Sequence, residues 1–222
     1  MISPRTRRAG CVGCVARAPR GCAHRDGVDG VFVVAVASAP MSGHLAPLSI
    51  TRVGVVSVAG IGRERLWDAV HAARPLASVV TRYNVSDLAV HHAALVAEPL
   101  WSAMEARWPA RDRSVQLALA AVDDLLAGMT LAPDTALFLG TSLGGVTAWE
   151  PWHRALLRDE RAVAPSCVGH GDTAPELAEA LGLRGEVVTV STACTSSAAA
   201  LMQAADAVRL GEVPQALVVG VD

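Results

Sequence analysis

From residue 50 onward the apolar positions switch regularly between strand spacing and helix spacing. Residues 50–58 (ITRVGVVSV) are β-branched and end at Ala59-Gly60-Ile61-Gly62, which predicts a strand and a tight turn. Residues 63–73 have helical spacing and are expected to turn Leu66, Trp67 and Val70 inward. Residues 75–112 fit neither period. Residues 113–127 (RSVQLALAAVDDLLA) form the clearest helix, with Val115, Leu119, Val122 and Leu126 on one face and Gly128 as its stop. Residues 135–140 (TALFLG) predict a short buried strand, and residues 146–157 a helix bearing Trp149 and Trp152.

The final fifty residues carry the most regular pattern. A helical stretch at 176–182 precedes a strand at 186–191 (EVVTVS), a polar turn at 192–197 (TACTSS) and a helix through Ala198, Leu201, Ala205 and Val208 to Gly211. A buried strand at 215–221 (QALVVGV) follows. Strand, elbow, helix and strand together predict one βαβ crossover and an α/β fold. Upstream, residues 1–45 show no period apart from the apolar run 31–37 (VFVVAVA). They are expected to be a disordered or over-extended leader that packs against nothing, with Met41 near the natural start of the folded protein.

Composition narrows the function. Of the 222 residues 52% are hydrophobic and 18% charged, which suits a globular chain able to bury a core. All 19 basic residues are Arg, so lysine chemistry, whether a Schiff base or a P-loop phosphate contact, is excluded within this chain. A net charge of −2 gives no electrostatic footprint for nucleic acid. The run at 31–37 is too short to span a bilayer, and Asp26 and Asp29 just before it spoil its likeness to a signal peptide, so a cytoplasmic protein is expected.

Cys11, Cys14, Cys22 and His24 spell C-x2-C-x7-C-x-H, but the long middle spacing offers no second knuckle for zinc, and five cysteines give no recognisable disulfide framework. No metal is expected. The loop Gly140-Thr141-Ser142-Leu143-Gly144-Gly145 lacks both the P-loop lysine and the G-x-G-x-x-G spacing, which argues against nucleotide binding. His91-His92 is read as a polar surface pair, because adjacent side chains diverge on a helix and oppose on a strand. Trp149 and Trp152 share a helix face and are read as core or dimer packing, with an acyl-pocket wall as the sharper alternative.

Cys194 carries the candidate chemistry. A cysteine at the first turn of a helix meets the positive end of the helix dipole, which favours its thiolate, and the free N–H groups there can hold an oxyanion when that thiolate attacks a thioester. Cys194 is therefore expected to alkylate faster than Cys167. The plainer reading of a lone cysteine in an Ala-rich segment is an inert buried filler.

Residues 188–222 (VTVSTACTSSAAALMQAADAVRLGEVPQALVVGVD) resemble the active-site segment of the β-ketoacyl synthases, with the cysteine after Thr-Ala, a long Ala helix, Arg-x-Gly and a strand ending near Gly-x-Asp. Val53-Gly54-Val55-Val56-Ser57 with Leu66-Trp67 resembles the family's opening strand and helix. Arg113, Ala120-Ala121 and Asp123-Asp124 resemble its next helix, and the 140–145 loop its Gly-Thr-x-x-Gly-Gly turn. Val221 departs from the Gly-Gly pair that many members keep before the acidic residue.

The resemblance implies a thiolase-like fold, layered α-β-α around a mostly parallel mixed sheet, of which residues 46–222 are the N-terminal half. It implies Cys194 as nucleophile in a decarboxylative condensation of its acyl group with malonyl-acyl carrier protein. No cofactor is implied, the substrates being carried on the phosphopantetheine of acyl carrier protein. The implied partners are acyl carrier protein, acyl and malonyl thioesters, and a second ketosynthase chain in a homodimer or heterodimer; nucleic acid and membranes are not implied. The family's second half carries two catalytic histidines and a lysine, so residues 1–222 alone are expected to be inactive in condensation. The competing expectation is a non-catalytic ketosynthase-like partner or chain-length subunit. A free-standing thiol hydrolase has no histidine base with an identifiable role.

Overall fold

The computed structural model describes residues 30–37, 48–73, 75–161, 163–164 and 169–222. Strand β1 (Gly30–Ala37) is followed by β2 (Ser49–Ser57), which turns back at once into the short β3 (Gly60–Ile61) and helix α1 (Arg63–His71). A small ladder, β4 (Ser78–Val79) with β5 (His92–Ala93), leads to helices α2 (Glu98–Arg107) and α3 (Arg113–Leu126). The remaining elements are β6 (Ala136–Gly140), α4 (Val146–Leu157), α5 (Thr173–Leu181), β7 (Val187–Val190), α6 (Ser196–Arg209) and β8 (Ala216–Val221).

Six strands form one mixed sheet in the order β3-β2-β1-β8-β6-β7. β8, β6 and β7 run parallel, with β7, α6 and β8 making the expected crossover around β6. Alternation along the central strands divides the core. Leu137 and Leu139 of β6, with Leu217, Val219 and Val221 of β8, face α3 and α5. Ala136 and Phe138, with Ala216 and Val218, face α6 through Ala200, Ala204, Ala207 and Val208. Both faces are covered, so β6 and β8 are buried at every position and read as unbroken apolar runs rather than alternating ones.

Helix α3 is capped by Asp112, whose carboxylate accepts from the Ser114 N–H at 2.8 Å. It ends on Ala127 in a left-handed conformation followed by Gly128. Residues 114–122 are buried all round, because the sheet lies on one side while α2 and α5 close the other. The single inward face expected from periodicity is therefore only part of its buried surface, and Leu125 is buried where Leu126 is only partly so.

Two expectations are corrected. The leader reading of residues 1–45 fails at residues 30–37, which form β1 inside the sheet. β2 and β8 point the same way, and β1 pairs antiparallel with both, from Gly30 opposite Ser57 and from Val31 opposite Val221. The inward face of α1 also fails: Trp67 is 62% and Val70 63% exposed, Trp67 lies against His71 with ring centroids 4.3 Å apart and the rings tilted by 58°, and Leu66 alone of the three is partly covered. Cys11, Cys14, Cys22, His24 and Cys167 lie outside the described residues. Among the described residues no helix is long and apolar enough to cross a membrane.

Candidate active site

The three parallel strands end together at Gly140, Val190 and Val221, and the chain segments leaving them meet at one edge of the sheet. In open α/β sheets this carboxyl edge is where ligands bind. It carries the 140–145 loop, the Cys194 elbow and Asp222.

Cys194 is exposed and lies just before α6, which begins at Ser196 with Thr195 as cap, rather than inside its first turn. The elbow is wound by its own hydroxyls. Ser196 Oγ donates to the Ala193 carbonyl at 2.5 Å and accepts from the Thr192 N–H at 2.9 Å, while Thr195 Oγ1 donates to the Thr192 carbonyl at 2.8 Å. Ala193 is thereby held at φ 57°, a left-handed conformation that costs a residue with a Cβ and persists only where its surroundings enforce it. Ser196, 2% exposed, is the peg of this turn. The run Thr-Ala-Cys-Thr-Ser-Ser is polar because these hydroxyls replace the ladder that β7 has just left.

Gly140 seats the elbow. A Cβ there would stand 2.4 Å from the Ser196 carbonyl oxygen and 2.6 Å from the Ser197 nitrogen, so α6 rests directly on the last residue of β6. The loop that follows is drawn inward. Asp222 accepts from Thr141 Oγ1 at 2.8 Å, from the Ser142 N–H at 2.7 Å and hydroxyl at 2.5 Å, and from the Leu143 N–H at 3.0 Å. The Gly144 N–H donates to Thr141 Oγ1 at 2.8 Å, and His170 Nε2 donates to the Ser142 carbonyl at 2.8 Å. The Ser142, Leu143 and Gly144 N–H groups are thus engaged inside the protein rather than turned out toward an anion.

Burial pushes the Asp222 carboxyl upward, but the hydrogen bonds from Ser142, Leu143 and Thr141 outweigh it and hold the group below the ordinary aspartate value. A depressed carboxyl stabilises the folded state above its unfolded pKa, and that contribution is lost as pH falls through the lower folded value. The Ser142 and Leu143 amide resonances are accordingly expected to titrate with a midpoint below that of a free aspartate peptide; a midpoint at or above it contradicts these bonds.

The far end of the loop is held by a second carboxylate. Asp112, 4% exposed, accepts from Ser114 Oγ at 2.6 Å besides the cap bond, and from Thr147 Oγ1 at 2.7 Å and the Ala148 N–H at 3.0 Å. It joins the start of α4 to the start of α3. The cap role follows from an Asp before a helix, but its bonds to α4 had no sequence signal. Beside it opens a cleft of about 850 Å³ in which the guanidinium carbons of Arg82 and Arg113 lie 4.4 and 4.8 Å from the Trp101 ring centroid. Cys194 does not line this cleft.

The bonds and ring contacts seen for the other candidates are made elsewhere than at the thiol. His91 and His92 are both exposed, His91 bonding the Leu88 carbonyl at 2.8 Å. Trp149 and Trp152 are half-buried on α4, with Trp149 edge-on to His153. Among the described residues no group of three or more His, Cys, Asp or Glu side chains could hold a metal ion.

A mixed sheet between helix layers, with a thiol elbow at its carboxyl edge, is the architecture of a thiolase-like half. Residues 46–222 match the beta-ketoacyl synthase N-terminal domain family. The chain belongs to that family. It is 30% identical over 172 residues to a putative polyketide beta-ketoacyl synthase 1 of Streptomyces cyaneus, covering 67% of this chain and 40% of that protein. A protein of the same description from Streptomyces halstedii is 31% identical over 188 residues, covering 73% and 43%. The ishigamide ketosynthase/chain length factor superposes with a TM-score of 0.56 at 22% identity, over 84% of this chain and 46% of that one. A beta-ketoacyl synthase from Burkholderia phymatum STM815 gives 0.56 at 18% identity, over 84% and 45%. The chain thus spans less than half the length of these relatives.

Proposed function

We propose that this chain supplies the nucleophile half of a polyketide-type ketosynthase, with Cys194 as the residue that accepts the acyl group. The observation that carries this reading is the elbow itself: an exposed thiol on a strained, hydroxyl-pegged turn at the carboxyl edge of the sheet, immediately before α6. The thiolate attacks the carbonyl of an acyl thioester on a carrier protein. The tetrahedral oxyanion is held by backbone N–H groups, the Cys194 N–H among them, and its collapse expels the carrier thiolate and leaves acyl-Cys194. Malonyl carrier protein then loses carbon dioxide, and the carbanion attacks the acyl-enzyme to give the β-ketoacyl product and free Cys194.

The second step needs groups that stabilise the enolate, which the family resemblance puts on two histidines outside these residues. Among the described residues, the histidines for which hydrogen bonds are seen bond carbonyls of Trp67, Leu88 and Ser142 rather than the thiol. The reaction uses no cofactor beyond the carrier's phosphopantetheine. The stripe of Ala198 and Met202 on α6, with Leu201 and Ala205 beside it, is where a sister α/β half would pack.

A second reading, a non-catalytic chain-length partner, is favoured by the likeness to a ketosynthase/chain length factor. Retention of Cys194 supports the first. Incubating the full chain with an acyl carrier protein thioester is expected to add one acyl group at Cys194, lost in Cys194→Ala, with no β-ketoacyl product on adding malonyl carrier protein. Condensation restored by a complementing C-terminal half and abolished by Cys194→Ala supports the catalytic reading. A folded chain whose Cys194 takes no acyl group, alone or complemented, leaves the partner reading standing.

A further inference from the structure

Strand β1 lies outside residues 46–222, the part of the chain that matches the family, yet it occupies the middle of the sheet those residues build. Its neighbours β2 and β8 are the first and last strands of the matched part, and each bonds β1 rather than the other. Helix α3 bridges them: its buried residues share one apolar cluster with Val56 of β2 and with Leu217, Val219 and Val221 of β8. It approaches β2 so closely that a Cβ on Gly54 would stand 2.1 Å from the Ala121 carbonyl oxygen. The matched residues therefore build a roofed slot one strand wide, about 10 Å from β2 to β8, that accepts an extended segment antiparallel to both. The hold of β1 on this slot is generic. It reaches β2 through residues 38–48, well beyond the two to five residues of a tight hairpin, so no short turn sets its register, and its ladder to β2 shifts between Ala35 and Val36. Its sequence, GVFVVAVA, has no charged or hydrogen-bonding side chain, so main-chain bonds and apolar side chains hold it, and another apolar strand can supply both.

We propose that the slot between β2 and β8 is an exchangeable strand site: residues 30–37 fill it in this chain, and a complementing ketosynthase half displaces them with an apolar strand of its own. The proposal rests on reading this chain as one half of a ketosynthase. The match covers only 40–46% of the relatives' length, and its strands leave the slot to be filled from elsewhere. A strand that follows β8 through a simple reversal arrives antiparallel to it, in the one direction the slot accepts. β1 is then a strap that holds this half folded until the partner's strand competes it away, and the two halves join only as β1 leaves.

Two measurements on the folded full-length chain test this. In the first, uptake of a fluorescent synthetic peptide of residues 29–39 is followed by anisotropy. Val34→Cys with Val53→Cys, directly opposite each other in the β1–β2 ladder, ties β1 in place when oxidised, in a chain that also carries Cys11→Ser, Cys14→Ser, Cys22→Ser and Cys167→Ser. The reduced chain is expected to take up one peptide, and the oxidised chain none until reductant is added. Val34→Pro, which removes one ladder N–H, is expected to speed uptake about tenfold, the worth of one main-chain hydrogen bond. If that variant does not fold, the oxidised and reduced chains carry the test. Equal uptake by the oxidised and reduced chains, or no uptake by either, overturns the proposal. In the second, the C-terminal half of a polyketide ketosynthase is expected to associate with the reduced chain and not with the oxidised one. Equal association with both, or a peptide that exchanges while this half binds neither form, overturns the assigned occupant. A slot that exchanges strands in a chain whose Cys194 takes no acyl group counts against the catalytic reading and leaves the strand site supported.

Discussion

Starting the chain at Met41 is expected to abolish cooperative folding, although a start there looks natural from the sequence. The truncation removes β1, which lies between β2 and β8 and pairs with both. Those two strands run in the same direction and do not touch each other in the sheet. Without β1 they stand about 10 Å apart, two strand spacings, with facing rows of backbone donors and acceptors left open. β8 is buried at every position, so its open edge cannot turn to water without dismantling the core around Leu217 and Val219. Each buried backbone group left without a partner costs about 1–3 kcal/mol, and a handful of them exceeds the roughly 5–15 kcal/mol that holds a domain together. Urea unfolding followed by near-ultraviolet circular dichroism compares the two chains directly. A Met41-start chain that unfolds cooperatively at the same midpoint shows that β2 and β8 close up on their own, and β1 is then dispensable.

The apolar run 31–37 was visible in the sequence, yet its role was not. Its flanks are aperiodic and rich in Arg, Gly and Pro, and its partners are β2 just ahead and β8 near residue 220. Strand pairing at that separation leaves no local mark, because a strand's preference comes from what packs beside it rather than from its own backbone. The central strands β6 and β8 and helix α3 were legible for the opposite reason: burial on both faces writes a continuous apolar run, and burial of a helix writes its period. Helix α2 was not, since only Trp101 and Met104 are buried in it and Pro99 near its start mimics a loop. Helix α1 carried a helical pattern but misled about its face. Its apolar side is not the side turned to β2.

The site divides in the same way. Cys194 stands out through a short local motif, and the hydroxyls that wind its elbow lie within two residues of it. Asp112 and Asp222 do their work on residues 35 and 80 positions away, at Thr147 and Ser142. Nothing in the spacing of a single acid predicts a bond to a turn on another strand, and both became visible only when the topology brought the loop between them.

Gly140→Ala is expected to separate the seating of the thiol from the stability of the sheet, with Gly185→Ala as its counterpart. At Gly140 the added Cβ meets backbone atoms of Ser196 and Ser197 at 2.4–2.6 Å, and at Gly185 it meets the carbonyl oxygens of Asp134 and Thr135 at 2.5 and 2.6 Å. Both clashes are with backbone, so no side-chain rotation relieves them, and each is expected to cost about 1–3 kcal/mol through local displacement. The two lie at opposite ends of the same strand pair. Gly185 precedes β7 beside the start of β6, whereas Gly140 is the residue on which α6 and its elbow rest. Relief at Gly140 requires the first turn of α6 to lift by about 1 Å, and a displacement of that size next to a reacting atom can lower a rate about a hundredfold. Urea midpoints for both variants should therefore fall by similar amounts, while acylation of Cys194 by an acyl thioester falls steeply in Gly140→Ala and stays near the parent rate in Gly185→Ala. If the two variants lose acylation in proportion to their lost stability, the elbow is not seated by β6 and the thiol's reactivity follows the fold as a whole. If Gly140→Ala loses stability but not acylation, the clasp made by Ser196 within residues 192–196 is sufficient to position Cys194, and α6 moves with its elbow as one rigid piece.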